Sequence, residues 1–204
     1  MASSGRTVVV VGEDAHVCGF IALADPVRPT ARATVEDLRR AGIEHVVMLT
    51  GDNEPTARAI AGQVGITEVR AELLPQDKVT AVEQLVERYG TVAMIGDGVN
   101  DAPAMARATC GIAMAAAGSD AAIETADIAL MTDDLSRVPW LVRHSRRAVA
   151  IIRQNISLSL AVKLAFVLLT FGGFASLWAA IGADMGVSLI VIANALRLLR
   201  VPAW

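Results

Sequence analysis

Over the first 134 positions the apolar residues fall into short runs of two alternating kinds. Thr7–Val11 (TVVVV) and His16–Ala24 (HVCGFIALA) are rich in β-branched side chains and flank a Gly-Glu-Asp turn, which predicts a β-hairpin. Asp25–Pro29 (DPVRP) follows as a stiff linker, because each proline fixes its own φ and restricts the residue before it. TARATVEDLRRAG then predicts a helix with Val35 and Leu38 on its apolar face and Gly42 closing it. From there strand and helix patterns take turns. HVVML is a strand ending in the polar turn Thr50, Gly51, Asp52. EPTARAIAGQVG is a helix with Pro55 in its first turn and Gly65 past its end. EVRAEL is a short strand, and PQDKVTAVEQLVERYG is a helix that opens at Pro75 and sets Val79, Val82, Leu85 and Val86 on one face. TVAMI, CGIAM and DIALM are strands, with DAPAMARA a short helix and GSDAAIETA a helical turn between them.

Strands alternating with helices predict an α/β fold with a doubly wound parallel sheet, whose chemistry collects beyond the carboxyl ends of the strands. The turns TGD and GDGVND both stand at that edge. The pattern changes after Leu135. Residues 135–153 hold five arginines and read as a basic connecting helix, whereas from Gln154 to Leu196 only Lys163 and Asp184 are ionisable. NISLSLAVKLAFVLLTF (Asn155–Phe171) and FASLWAAIGADMGVSLIVIANAL (Phe174–Leu196) are each near the ~20 residues that cross a bilayer. Gly172–Gly173 between them forces antiparallel neighbours, so residues 154–200 predict a transmembrane helical hairpin in a lipid bilayer. Arginines flank the pair on both sides, which sets both ends in the cytoplasm and makes the protein a multi-pass one of the plasma membrane. The alternative is a helical hairpin buried in soluble protein.

Composition changes this picture little. The chain is 54% hydrophobic, an average over a charged segment and a nearly uncharged one, and its net charge of −3 makes no electrostatic case for nucleic acid. Cys18 and Cys110 lack metal-ligand spacing and read as buried free thiols of a reducing compartment.

The chemistry lies in MIGDGVNDAPAM, Met94–Met105. Asp97 follows a buried strand directly, and Asp101 comes four residues later. Two carboxylates at one strand end repel unless a cation or a proton sits between them, and Mg²⁺ is the natural cation because it takes carboxylate and phosphate oxygens together. Thr50 with Gly51 offers a hydroxyl and an amide for phosphate, and Lys78 offers a point charge. The plainer alternative is an Asp-Gly turn whose second aspartate caps a helix.

TGDN, LLPQDK and GDGVNDAPAM, in this order and spacing, closely resemble the phosphorylation domain of a P-type ATPase, a member of the haloacid dehalogenase-like superfamily. The resemblance implies that Asp97 binds the catalytic Mg²⁺, and that Asn100 and Asp101 organise the site around it. It implies phosphoryl contacts from the Thr50–Gly51–Asp52 turn and charge neutralisation by Lys78. ADPVRP resembles the hinge returning from the nucleotide-binding domain, which makes residues 1–24 a remnant of that domain and of its ATP site, and residues 25–134 the C-terminal part of the phosphorylation domain. AVKLAFVLL and ADMGVSLIVIANALRLLR resemble the last two membrane helices of the zinc/cadmium/lead-exporting branch. There the resemblance makes Asp184 a ligand of the transported divalent ion (Zn²⁺, Cd²⁺ or Pb²⁺) and Lys163 its counter-charge, with Asn155 and Met185 as weaker candidates.

Lys163 and Asp184 each lie near mid-bilayer, where an unpaired charge costs about 2.5–3.5 kcal/mol, so the residues themselves point to an ion pair or a cation pathway. The family's nucleophilic aspartate, in Asp-Lys-Thr-Gly-Thr, does not occur in the sequence, nor do Thr-Gly-Glu and Cys-Pro-Cys. The chain therefore reads as the C-terminal part of a metal-exporting pump, inactive by itself and expecting an N-terminal part as partner. A tethered phosphatase, or a non-catalytic relic or regulator, are the alternatives. The nucleophile strand of this sheet belongs between the TGD and GDG strands. Its absence leaves three outcomes: those two strands close up, TVVVV fills the slot, or the gap stays open; closure or filling is favoured, since unpaired buried amides and carbonyls are costly.

Overall fold

The computed structural model of the chain describes residues 7–13, 16–23, 26–96, 99–114, 125–132, 134–173 and 176–199. It divides into two compact units, Met1–Pro139 and Trp140–Trp204.

In the first unit, β1 (Thr7–Glu13) pairs antiparallel with β2 (His16–Leu23), with a break in register between Val11 and Gly12. This is the expected hairpin. Its thiol is not buried, however: Cys18 is exposed, and Cys110 is only half-buried. Among the described residues β1 and β2 form a sheet of their own, so no further strand pairs over Cys18.

The helices form where the sequence punctuates them. The segment α1 (Ala31–Arg40) carries Thr34 and Val35 inward, and β3 (Val47–Leu49) follows it. The N-terminus of α2 (Glu54–Val64) is capped by the Asn53 side chain, which accepts from the Thr56 amide, and the helix ends at Gly65. After β4 (Glu68–Arg70), α3 (Pro75–Tyr89) begins where Asp77 accepts from the Leu74 amide. Its predicted face turns inward, with Val82 and Leu85 buried. β5 (Ala93–Gly96), the short α4 (Ala102–Met105), β6 (Cys110–Met114) and β7 (Ile128–Leu130) complete the unit. Val82 of α3, Met94 of β5 and Ala104 and Met105 of α4 form one buried cluster, against which Leu49 and Val79 pack.

Every pairing after the hairpin is parallel, as alternating strands and helices require: β3 with β4, and β5 with β6 with β7. The two sheets are separate. The expectation that β3 and β5 close on each other, or that Thr7–Val11 fills between them, is not met among the described residues. Instead a cavity of about 390 Å³ is bounded by Met48 of β3, Ile95 of β5, Val35 and Leu38 of α1, and Ile60 and Val64 of α2. The helices α1 and α2 pack on each other across one side of this slot. Closing it would require displacing both, at the cost of their packing.

In the second unit, α5 (Arg137–Phe171) runs unbroken through the basic and first apolar segments, since no glycine or proline occurs between Trp140 and Phe171. Gly173 adopts φ +75° in the turn that follows, a value open to glycine and strained for other residues. Helix α6 (Leu177–Ala195) is capped by Ser176, whose hydroxyl accepts from the Ala179 amide, and it ends in a 3₁₀ turn at Leu196–Leu199. Both helices are long and apolar enough to cross a membrane, and their apolar stretches are not buried within the protein. Leu164, Leu168 and Leu189 are 61%, 63% and 69% exposed. The exposed apolar surface of the pair is what a hairpin spanning hydrocarbon presents.

Candidate active site

The turn after β3 is held by its own side chains and by a strap of chain crossing it. The Thr50 hydroxyl donates to Asp52 Oδ2 (3.1 Å) and accepts from the Asp52 amide (3.1 Å). The Thr50 amide donates to the Arg70 carbonyl, the Leu73 amide to the Thr50 carbonyl, and the Glu72 amide to the Asp52 carbonyl. The strap, Ala71–Leu74, thus fixes the Thr50–Gly51–Asp52 turn from its backbone side. Glu72 adopts φ +57°, the one non-glycine residue in the left-handed region among those described. Nothing in the residue type announces this: the apolar pattern puts Glu72 inside the strand EVRAEL, whereas the strand ends at Arg70.

The second component is an ion pair. Lys78 Nζ lies 2.7 Å from Asp101 Oδ1, with the side chains only 18% and 16% exposed. Lys78 comes from the first turn of α3, and Asp101 from the 3₁₀ turn Val99–Asp101 that leads from β5 into α4. Asp101 occupies the N-cap position of α4, but its side chain makes no capping hydrogen bond. The plain helix-cap alternative therefore fails: the carboxylate is spent on a lysine from another element. Gly96 makes this approach possible. A Cβ there would lie 2.7 Å from Asp101 Cβ and 3.2 Å from both Asp101 Oδ2 and Met105 Sδ. Its necessity follows from the close packing of Asp101, which the strings alone do not reveal.

Leu49 immediately precedes Thr50 and Val79 immediately follows Lys78, and both pack on one buried cluster. The two components thus border the same core. Asn100 is exposed beside Asp101. Asp97 lies outside the described residues. The donors are hard: hydroxyl, amide and carboxylate oxygen, with one lysine. Lys78 occupies one oxygen of Asp101 and leaves the carboxylate a second, a set that suits Mg²⁺ with phosphate rather than a soft metal.

Along the helical hairpin the sequence singles out Lys163 and Asp184. Both side chains are exposed, and they form no ion pair with each other or with any described residue. Of the two readings, the direct ion pair is not present among the described residues, and the hydrogen bonds between α5 and α6 lie elsewhere, at their open end. There Asn155, only a weaker candidate in the sequence, accepts from Asn194 at 2.8 Å. Met185 is exposed. No group of three or more His, Cys, Asp or Glu among the described residues could hold a metal ion.

A family model described as haloacid dehalogenase-like hydrolase matches residues 2–109. A probable cadmium-transporting ATPase of Staphylococcus aureus (strain MRSA252) is 49% identical over 199 residues, covering 98% of this chain and 27% of that protein. A zinc-transporting ATPase of Synechocystis sp. is 46% identical over 196 residues, covering 95% of this chain and 27% of the relative. Among solved structures, a zinc-transporting PIB-type ATPase in an E2.Pi state superposes with a TM-score of 0.87 at 46% identity, covering 98% of this chain and 32% of that one. The chain thus spans between a quarter and a third of the length of these relatives.

Proposed function

This chain belongs to the haloacid dehalogenase-like hydrolase family, and from that premise we propose that it serves an ATP-driven exporter of divalent heavy-metal ions, Zn²⁺, Cd²⁺ or Pb²⁺. In this reading residues 1–24 are a remnant of the nucleotide-binding domain, 25–134 bear the phosphoryl-transfer site, 135–153 connect, and 154–200 span the plasma membrane with both ends in the cytoplasm. The observation that carries it is the Lys78–Asp101 pair, held at the strand end beside the core that also supports the Thr50 turn.

The division of labour follows from charge. A phosphoryl group on an aspartate presents negative oxygens, and little covalent work falls to the surrounding residues beyond positioning and neutralisation. Thr50 and Gly51 supply a hydroxyl and an amide to those oxygens. Asp52 holds the Thr50 hydroxyl in place until the phosphoryl group competes for it. Lys78 carries the compensating positive charge, and Asp101 keeps its ammonium aimed along the strand end. Asp97 and Asp101 would hold Mg²⁺, which when bound neutralises charge on the transferring group. Asn100 lies between them in sequence and would donate an amide to the same cluster. In the membrane, Asp184 supplies an oxygen ligand to the exported ion, and Lys163 balances the site once the ion has left.

The test is a chimera in which residues 7–199 replace the matching segment of the Staphylococcus aureus relative. Asp184→Ala in that chimera should abolish metal-stimulated ATP hydrolysis yet leave labelling by inorganic phosphate nearly intact, because the substitution removes an ion ligand and no phosphate contact. Metal stimulation that survives the substitution would show Asp184 to be structural.

A further inference from the structure

We infer that Asn155 and Asn194 form a register clamp that sets Lys163 and Asp184 at one depth in the membrane, a positioning role that rests on the transport reading of those two charges. Asn194 Nδ2 donates to Asn155 Oδ1 at 2.8 Å, and Asn155 Nδ2 reaches the Val191 carbonyl at 3.5 Å. The other face of Asn194 is engaged as well, since its Oδ1 accepts from Arg197 at 2.9 Å, and Arg147 donates to the Arg197 carbonyl at 3.2 Å. Both asparagines are half-buried on helices whose apolar residues are largely exposed. An amide withdrawn from water must keep its partners, and between apolar helices such polar contacts discriminate where side-chain packing does not.

The geometry makes the clamp specific. The hairpin is closed at one end by the Gly172–Gly173 turn and at the other by the asparagine pair. The arms between are matched: 16 residues separate Asn155 from Phe171 and 17 separate Leu177 from Asn194. Sliding either helix by one residue turns its asparagine by about 100° and breaks the bond. Counted from the clamp, Lys163 is eight residues along α5 and Asp184 ten residues back along α6. At ~1.5 Å per residue these are depths of about 12 and 15 Å, so the two charges share a layer about 3 Å thick without touching. Slippage by a full turn in the unfavourable direction would part them by about 8 Å in depth. The clamp thereby keeps a cation ligand and its counter-charge level without pairing them.

The experiment uses the whole chain in lipid nanodiscs, with Cys18 and Cys110 changed to serine and spin labels at Leu164 and Met185, each one residue beyond the charge it reports. The parent should give one narrow distance distribution. Asn155→Leu and Asn194→Leu should each shift that distance or split it into populations about one helical pitch (~5.4 Å) apart along the axis, and the double variant should change it no further. Asn155→Asp, which keeps the accepting oxygen, should retain the parent distance. The parent distance in both leucine variants would overturn the proposal, as would a shifted distance in Asn155→Asp with helicity unchanged by circular dichroism. No metal enters this measurement, so its outcome is separate from the role of Asp184, which the chimera tests.

Discussion

Gly96 and Asp101 show how much of a site can hang on a missing methyl group. With a Cβ at position 96 the Asp101 carboxylate is displaced from Lys78. Gly96→Ala should therefore cost about 1–3 kcal/mol in denaturant unfolding of the whole chain, the usual range for overpacking. Lys78→Met should cost about 2 kcal/mol by stripping a largely buried carboxylate of its charged partner; a loss under 0.5 kcal/mol by ordinary surface standards (about that limit) would mean that the pair contributes nothing. The cysteines give a second check. Burial raises the Cys110 thiol above its ordinary range, and the nearby Asp127 charge pushes in the same direction. Its thiolate thus appears only at higher pH, and Cys18, being exposed, should be alkylated first near pH 8. Equal rates at the two thiols would contradict that environment. The positions of Thr50 after β3, Lys78 at the head of α3 and Asp101 beyond β5 were legible, because apolar runs and prolines mark those element ends. The packing role of Gly96 was not, because a glycine preceding an aspartate has many uses, and only the 2.7 Å approach to Asp101 selects this one.

Most described strands and helices lie near where alternating apolar runs, prolines and glycines place them, but EVRAEL keeps only Glu68–Arg70 as strand, and the basic and first apolar segments form one helix. The strap over the Thr50 turn escaped because it depends on backbone bonds between segments about twenty residues apart. Its left-handed Glu72 makes a test possible. Glu72→Gly should be neutral or stabilising by up to about 1 kcal/mol, whereas Glu72→Val should destabilise by more than about 1 kcal/mol, because a β-branched residue tolerates positive φ poorly. Equal melting temperatures for the two variants would remove the strap from the account. The slot between β3 and β5 also ran against expectation. Backbone satisfaction argued for closure, but a cavity walled by α1 and α2 stands between the two strands. Hydrogen exchange should find β6, paired on both sides, protected throughout, while β3 and β5 exchange quickly at alternate residues. Uniform protection in β5 would mean that its second edge is covered.

For the molecule as a whole, charge distribution was the most legible property: a charged α/β unit and a nearly uncharged hairpin cannot share one solvent. The chain should remain in the membrane pellet after alkaline carbonate extraction, and its release would contradict the spanning assignment of α5 and α6. What composition and hydropathy could not resolve is the side-chain geometry of the hairpin, where Lys163 and Asp184 form no ion pair and the polar contact between the helices is a distant asparagine pair. Hydropathy reports depth, and contact depends on rotation about each helix axis as well. The central claim joins the two units in one activity, with phosphoryl transfer at Lys78 and Asp101 coupled to an ion at Asp184. It is tested most directly by acid-stable labelling from radioactive ATP. The 204-residue chain, which contains no Asp-Lys-Thr-Gly-Thr, should take up no label. The chimera with the Staphylococcus aureus relative should take up label only when Cd²⁺ or Zn²⁺ is present, and Asp184→Ala should remove that dependence together with the label. Label on the chain alone, or a folded chimera labelled equally with and without metal, would contradict the account.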